Sequence, residues 1–264
     1  MEQKPLVVVN GLVRKDAIAY LKEHVEVRQW TEKTVMPRET LKEWLVDADG
    51  LWCVRPLDVD GDLVKNAPNL KVIAQAAVGY DNVNIDELTA AGIPYGNTPG
   101  VLNETVAELA FTLIATASRR ILENANFVKD GRWAQRPSNI KGFDLSRRTL
   151  GIIGMGAIGV SISRRARAFG MTVVYHNRNQ RIDDKIHKTT YMELDDLLAI
   201  SDVVCVMAPL TDETYHMCDE AFFKKMKNTA LFVNVGRGPI VDTDALINAL
   251  KTGEIDYAAL DVTD

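Results

Sequence analysis

The chain has 264 residues, 47% of them apolar and 25% charged, an ordinary globular composition that excludes a disordered, collagenous or low-complexity protein. With 31 basic and 36 acidic residues the net charge is −5, so no overall positive field draws the molecule onto nucleic acid or anionic lipid. The three cysteines, Cys53, Cys205 and Cys218, are widely separated, carry no Cys-x-x-Cys spacing and fit a reducing compartment.

Short β-branched runs alternate with amphipathic stretches along the whole chain, the pattern of parallel sheets with crossover helices. In the first hundred residues strands are predicted at 6–9, 25–29, 50–54 and 71–75, with helices at 14–23, 39–46 and 62–66. Residues 102–128 place Val106, Leu109, Ala110, Leu113, Ile114 and Ala117 at helical spacing and predict one long helix linking two sheets. Residues 130–148 show no period and read as an arm or loop. A second series follows, with strands at 150–153, 172–175, 202–207, 230–234 and 257–260 and helices at 157–169, 192–200, 220–226 and 243–251. The expected class is α/β, two doubly wound parallel-sheet domains, 1–100 and 101–264. The apolar run at 6–9 is too short for a signal-peptide core, and 106–117 falls short of the ~20 residues that span a bilayer. A cytoplasmic protein without a membrane partner is expected.

Gly154-Met155-Gly156-Ala157-Ile158-Gly159 follows a predicted strand and opens a predicted helix. That context is what a dinucleotide fingerprint requires: Gly154 for the turn, Gly156 for close approach of a pyrophosphate, Gly159 for helix packing. The helix N-terminus adds free N–H groups and a positive dipole end. An NAD site usually places an acidic residue about 20 residues further on, to bind the ribose 2′-hydroxyl. Here the second strand runs into Asn177-Arg178-Asn179-Gln180-Arg181. Asn177 is neutral, and Arg178 and Arg181 suit a 2′-phosphate. NADP(H) is therefore expected in preference to NAD(H). No His, Cys or carboxylate group has metal-ligand spacing, so no metal is expected.

Several spaced segments then resemble the D-isomer-specific 2-hydroxyacid dehydrogenases. They are Ala77-Val78-Gly79-Tyr80-Asp81-Asn82-Val83, Asn103-Glu104-Thr105-Val106-Ala107-Glu108, Met226-Lys227-Asn228-Thr229-Ala230, Phe232-Val233-Asn234-Val235-Gly236-Arg237-Gly238 and Ala259-Leu260-Asp261-Val262. The arginine-bearing turn and the Leu-Asp-Val-Thr ending look most like glyoxylate/hydroxypyruvate reductases. The resemblance implies a flavodoxin-like substrate domain followed by a Rossmann NAD(P)-binding domain, a small 2-oxoacid or 2-hydroxyacid substrate, and a homodimer. It also implies that Arg237 is the catalytic arginine holding the substrate, and that the Val78 and Gly79 backbone binds the substrate carboxylate. Thr105, Pro209, Thr214, Val235 and Asp261 match positions lining the cofactor. His216 reads as a loop residue, and Arg164, Arg165 and Arg167 as a solvated helix face.

In the family a histidine acid and a glutamate that raises its pKa follow the Leu-Asp-Val segment. None of His24, His176, His187 or His216 stands there. The expectation is that these 264 residues are part of a longer reductase, and that taken literally they bind NADPH but turn over poorly. A phosphoglycerate-type dehydrogenase is the alternative within the class, disfavoured by Asn177-Arg178. A non-catalytic NAD(P)-sensing module is the alternative from another class. A methyltransferase gives no role to Arg237.

Overall fold

The computed structural model describes residues 4–134 and 140–264, which divide into two compact units, Met1–Val101 and Leu102–Asp264. In the first unit the elements are β1 (Leu6–Val9), α1 (Lys15–His24), β2 (Glu26–Gln29), α2 (Arg38–Leu45), β3 (Gly50–Cys53), α3 (Gly61–Lys65), β4 (Val72–Gln75), α4 (Ile85–Ala90) and β5 (Tyr95–Gly96). The strands are all parallel in the order β2-β1-β3-β4-β5, the flavodoxin-type winding. Its core gathers Val8, Leu41, Leu45, Leu51, Leu63, Ile73 and Leu88 from strands and helices alike. Asp60 and Asn84 start α3 and α4 by accepting from the Leu63 and Glu87 N–H groups. Neither α4 nor β5 is visible in the sequence pattern, because six and two residues are too few to show a period.

The second unit begins with α5 (Asn103–Ser118) and α6 (Ile121–Lys129), then β6 (Thr149–Ile153), α7 (Ala157–Ala168), β7 (Thr172–His176), α8 (Asp184–His187), β8 (Thr190–Tyr191), α9 (Leu194–Ile200), β9 (Val203–Val206), α10 (Glu220–Lys225), β10 (Leu231–Asn234), α11 (Thr243–Thr252) and β11 (Tyr257–Leu260). The strand order is β11-β10-β9-β6-β7-β8, parallel throughout. That is the Rossmann order. Every residue of β9 and β10 is buried, as expected where helices cover both faces of a parallel sheet.

The single long helix expected at 102–128 is instead two. Arg120 takes a left-handed conformation, φ 51°, and separates α5 from α6. Its guanidinium lies 4.2 Å from the Tyr257 ring centre and pairs with Glu123 at 2.6 Å, so tertiary contacts hold a backbone state that is unfavourable for a side-chain-bearing residue. Nor does α5 serve as a free linker. It packs inside the second unit through Ala107, Ala110, Phe111, Ile114 and Ala117, while Leu109 faces outward. Glu104 on α5 accepts from Ser161 and pairs with Arg164 and Arg165 at 2.6 and 3.0 Å. Two of the three arginines expected to form a solvated face, Arg164 and Arg165, therefore clamp α5 to α7. Of the expected arm, Arg132–Ala134 is a short 3-10 turn, and residues 135–139 lie outside the described residues.

Asp202 ties β6 to β9 at their amino ends. Its carboxylate accepts from the Thr149 N–H at 2.8 Å and faces Arg148 and Lys227, each at 3.2 Å. Burial works against the charge, but the Thr149 N–H and the two cations outweigh it and hold the carboxyl below the usual carboxylate range. A depressed folded pKa stabilises above the unfolded value and is lost as pH falls through the folded one. Asp202→Asn is expected to cost about 1–3 kcal/mol at neutral pH. Urea unfolding across a pH series should show that cost shrinking below about pH 4.

Candidate active site

All strands of the second sheet run parallel, so their carboxyl ends share one edge, and the strand order reverses between β6 and β9. Open α/β sheets bind ligands at such a switch point. The three glycines after β6 are there for three different reasons. Gly154 has φ +101°, and a Cβ on it would stand 2.6 Å from the Ala208 nitrogen. Gly159 is crowded from inside the loop, its hypothetical Cβ lying 2.8 Å from the Gly154 carbonyl. Gly156 differs, since a Cβ there would meet nothing within 4 Å. No fold constraint forbids a side chain at Gly156. That open space lies at the N-cap of α7, where no side chain caps the first turn, and a dinucleotide pyrophosphate fits it. Met155, by contrast, points its side chain into the core, and Ala157 and Ile158 form the first helical turn.

The turn after β7 holds the glycine loop from the side. Asn177 accepts the Met155 N–H at 2.6 Å through its amide oxygen. Arg181 is committed: it makes paired bonds to Asp183, both 2.7 Å, and a further bond to the Met155 carbonyl at 3.0 Å. Its expected role as a phosphate ligand is thus in competition with a bidentate carboxylate two residues away, a local pairing the sequence reading did not weigh. Arg178 is different. Its side chain is 74% exposed and meets Glu213, 72% exposed, at 3.3 Å; an exposed pair of this kind is weak.

The loop after β9 carries Pro209, which is exposed. Thr214 closes this loop, its hydroxyl accepting from the Thr211 N–H at 2.8 Å and donating to the Pro209 carbonyl at 2.7 Å. Its hydroxyl is therefore engaged in the loop's own structure. His216, left-handed at φ 49°, stacks on Tyr215 with ring centres 4.1 Å apart. After β10, Val235 is buried and Arg237 is partly exposed. Asn234, 1% exposed, accepts from the Gly236 N–H at 3.0 Å and donates to the Arg237 carbonyl at 2.9 Å. It is a positioning residue that sequence reasoning passed over, although an asparagine at the end of an otherwise apolar strand is a signal for a turn-holding side chain. Asp261 follows β11 exposed, its N–H donating to the Asn234 carbonyl. Thr105 sits exposed in the first turn of α5.

In the first unit, Val78 and Gly79 lie just past β4. The Ala77, Val78 and Gly79 carbonyls accept from the Thr98 N–H at 3.0 Å, Asn97 at 2.8 Å and Gln75 at 2.9 Å. Asn82 adds bonds to Gln75 and the Leu57 carbonyl. Three successive carbonyls of this loop are thus anchored within the first unit. Among the described residues no cluster of His, Cys, Asp and Glu could hold a metal. No helix among them is long and apolar enough to cross a membrane. The three cysteines are free and buried, and burial pushes the Cys53 and Cys205 thiols up to about 12.

The family described as D-isomer specific 2-hydroxyacid dehydrogenase, NAD binding domain, matches residues 111–264. Over 98% of its length the chain is 42% identical to a glyoxylate reductase of Thermococcus gammatolerans, covering 79% of that protein. Its fold matches a crystal structure of a glyoxylate reductase from Paecilomyes thermophila with a TM-score of 0.90 at 32% identity, covering 100% of this chain and 82% of that one. It also matches an NADPH-dependent glyoxylate/hydroxypyruvate reductase from Sinorhizobium meliloti in complex with NADP and malonate, with a TM-score of 0.88 at 30% identity, covering 99% and 80%. This chain belongs to the D-isomer specific 2-hydroxyacid dehydrogenases, a family of oxidoreductases.

The glycine geometry separates fold from ligand. Gly156→Ala is expected to leave the thermal unfolding midpoint nearly unchanged while weakening NADPH binding at least about tenfold. Gly154→Ala, strained and overpacked, is expected to lose about 1–3 kcal/mol of stability. Differential scanning fluorimetry beside a fluorescence titration reads both.

Proposed function

We propose that this chain is the substrate and cofactor domains of a reductase of small 2-oxoacids, glyoxylate and hydroxypyruvate, to D-2-hydroxyacids, with NADP(H) preferred over NAD(H). Residues 1–100 take the substrate side and residues 101–264 the dinucleotide. The observation that carries this reading is the shared sheet edge of the second unit, where an arginine between two glycines follows β10 and a phosphate-fitting glycine loop follows β6.

The chemistry asks for three things: a cation to hold the carboxylate and polarise the ketone, a hydride to the carbonyl carbon, and a proton to the alkoxide oxygen, which the resemblance assigns to the family's histidine acid. Arg237 supplies the cation, its planar fork matching a carboxylate bidentately. Asn234 holds the turn that carries Arg237, bonding the Gly236 N–H and the Arg237 carbonyl. The Val78 and Gly79 N–H groups bind the carboxylate as neutral donors. The nicotinamide, when bound, supplies the hydride. Gly154, Met155, Gly156, Ala157, Ile158 and Gly159 receive the pyrophosphate, and Thr105, Pro209, Thr214, Val235 and Asp261 line the remainder of the cofactor. Asn177 holds the glycine loop and, being neutral, does not repel a 2′-phosphate; Arg178, whose ion pair is exposed and weak, faces that phosphate, while Arg181 stays engaged by Asp183. The absence of an acidic residue after β7 supports NADP(H), since an anion there would repel that phosphate. A cytoplasmic homodimer completes the reading, supported by the exposed apolar Ile121, Leu122, Val128 and Trp133 on and after α6.

Two measurements test it. Titration with both nucleotides is expected to show NADPH binding about tenfold or more tighter than NADH, with Arg178→Ala removing about 10-fold to 100-fold from NADPH alone. Equal or tighter NADH binding contradicts the cofactor reading. Arg237→Ala is expected to lower kcat/KM for glyoxylate by about 10²–10³ with NADPH affinity kept, and Arg237→Lys to recover only part of it.

A further inference from the structure

Strands β7 and β9 flank β6, so the loops that follow them rise on either side of the glycine loop. A contact joins those two loops: the Arg178 guanidinium of the β7 loop and the Glu213 carboxylate of the β9 loop, 3.3 Å apart and 35 residues apart in sequence. The acid is not placed at random. Thr211 donates its hydroxyl to the same Glu213 oxygen at 2.8 Å, and Thr214 pins the loop beneath through Thr211 and Pro209. The Thr211 hydroxyl first, and Arg178 after it, hold the Glu213 carboxyl below the usual carboxylate range, so it is an anion at neutral pH. Arg181 cannot stand in for Arg178, being engaged by Asp183 and the Met155 carbonyl.

We propose that Glu213 is a specificity-determining residue of the cofactor site, competing with the nucleotide 2′-phosphate for Arg178 and so restraining the preference for NADP(H) over NAD(H). The inference deepens the NADP(H) reading and rests on it. The physics is a contest for one guanidinium. An exposed ion pair contributes little, so a phosphate dianion with three acceptor oxygens displaces the carboxylate. Glu213 then remains, held by Thr211, as a like charge beside the phosphate, and a repulsion in nearly full solvent is modest. NADH has no phosphate there and leaves the pair as it stands. Glu213 therefore penalises one nucleotide and spares the other.

Glu213→Gln keeps an acceptor for Thr211 and removes only the charge. Fluorescence titration of this variant, of Arg178→Ala and of the double variant with NADPH and NADH separates the outcomes, each protein being checked for an unchanged unfolding midpoint. Glu213→Gln is expected to tighten NADPH about three- to tenfold and to leave NADH within about twofold. That gain should shrink as salt rises and be smaller in the double variant relative to Arg178→Ala, where the contest for the guanidinium is gone and only the like-charge repulsion is left. If Glu213→Gln weakens NADH selectively, the carboxylate serves the ribose hydroxyls and the proposal is overturned. It is overturned equally if both nucleotides shift together, or if NADPH is unmoved although Arg178→Ala weakens it. Should Arg178→Ala spare NADPH, the cofactor reading itself fails, a result distinct from failure at Glu213 alone.

Discussion

The Ile153 carbonyl at the end of β6 accepts the Met207 N–H beyond β9 at 2.7 Å, and this closeness leaves no room for a side chain on the next residue. A Cβ on Gly154 would collide with the Ala208 and Met207 backbone, and the chain escapes by a left-handed turn at φ +101°. From that one steric constraint the rest of the loop follows. The turn sends the chain upward and back, α7 starts at Gly156, and the first helical N–H groups come to the sheet edge without a side chain over them. Gly159 packs the helix on the loop so tightly that its own Cβ would meet the Gly154 carbonyl. Two glycines are thus required by the protein's own packing, whereas a Cβ on the one between them would meet nothing within 4 Å.

Around that loop the structure distributes its polar side chains between holding and binding. Asn177, Asn234 and Thr214 hold: each bonds the backbone of the turn on which it acts. Arg181 holds as well, bridging Asp183 and the glycine loop. Arg178, by contrast, has a weak exposed partner and little to lose by exchanging it. An exchangeable cation among rigid neighbours is the arrangement on which the proposed anion site rests, because the fold has already done the ordering.

Much of this is legible in the sequence. The strands at 150–153 and 172–175 extend by only one residue at an end, and 257–260 coincides with β11, since a fully buried parallel strand is a continuous apolar run. The fingerprint was legible because its glycines stand at fixed offsets between a strand and a helix. What escaped was short, or decided by distant contacts. Two-residue β5 and β8 and four-residue α8 carry no period. The break at Arg120 has no glycine or proline to mark it, and depends on Tyr257 and Glu123. The fate of Arg181 was readable in principle from Asp183 two residues on; that of Arg178 was not, because Glu213 reaches it from another loop. Asn234 escaped for a third reason, its value lying in the backbone groups it satisfies and not in any chemistry of its own.

The proposed function places the nucleotide phosphates at the first turn of α7, opened by Gly156. Amide hydrogen exchange followed with and without NADPH tests it most directly, since the Ala157, Ile158 and Gly159 N–H groups gain an acceptor only if the claim holds. Exchange at these amides should slow markedly on adding NADPH, with the turn after β7 slowed alongside. Saturating nucleotide that protects other segments and leaves these amides exchanging at their original rate would contradict the account.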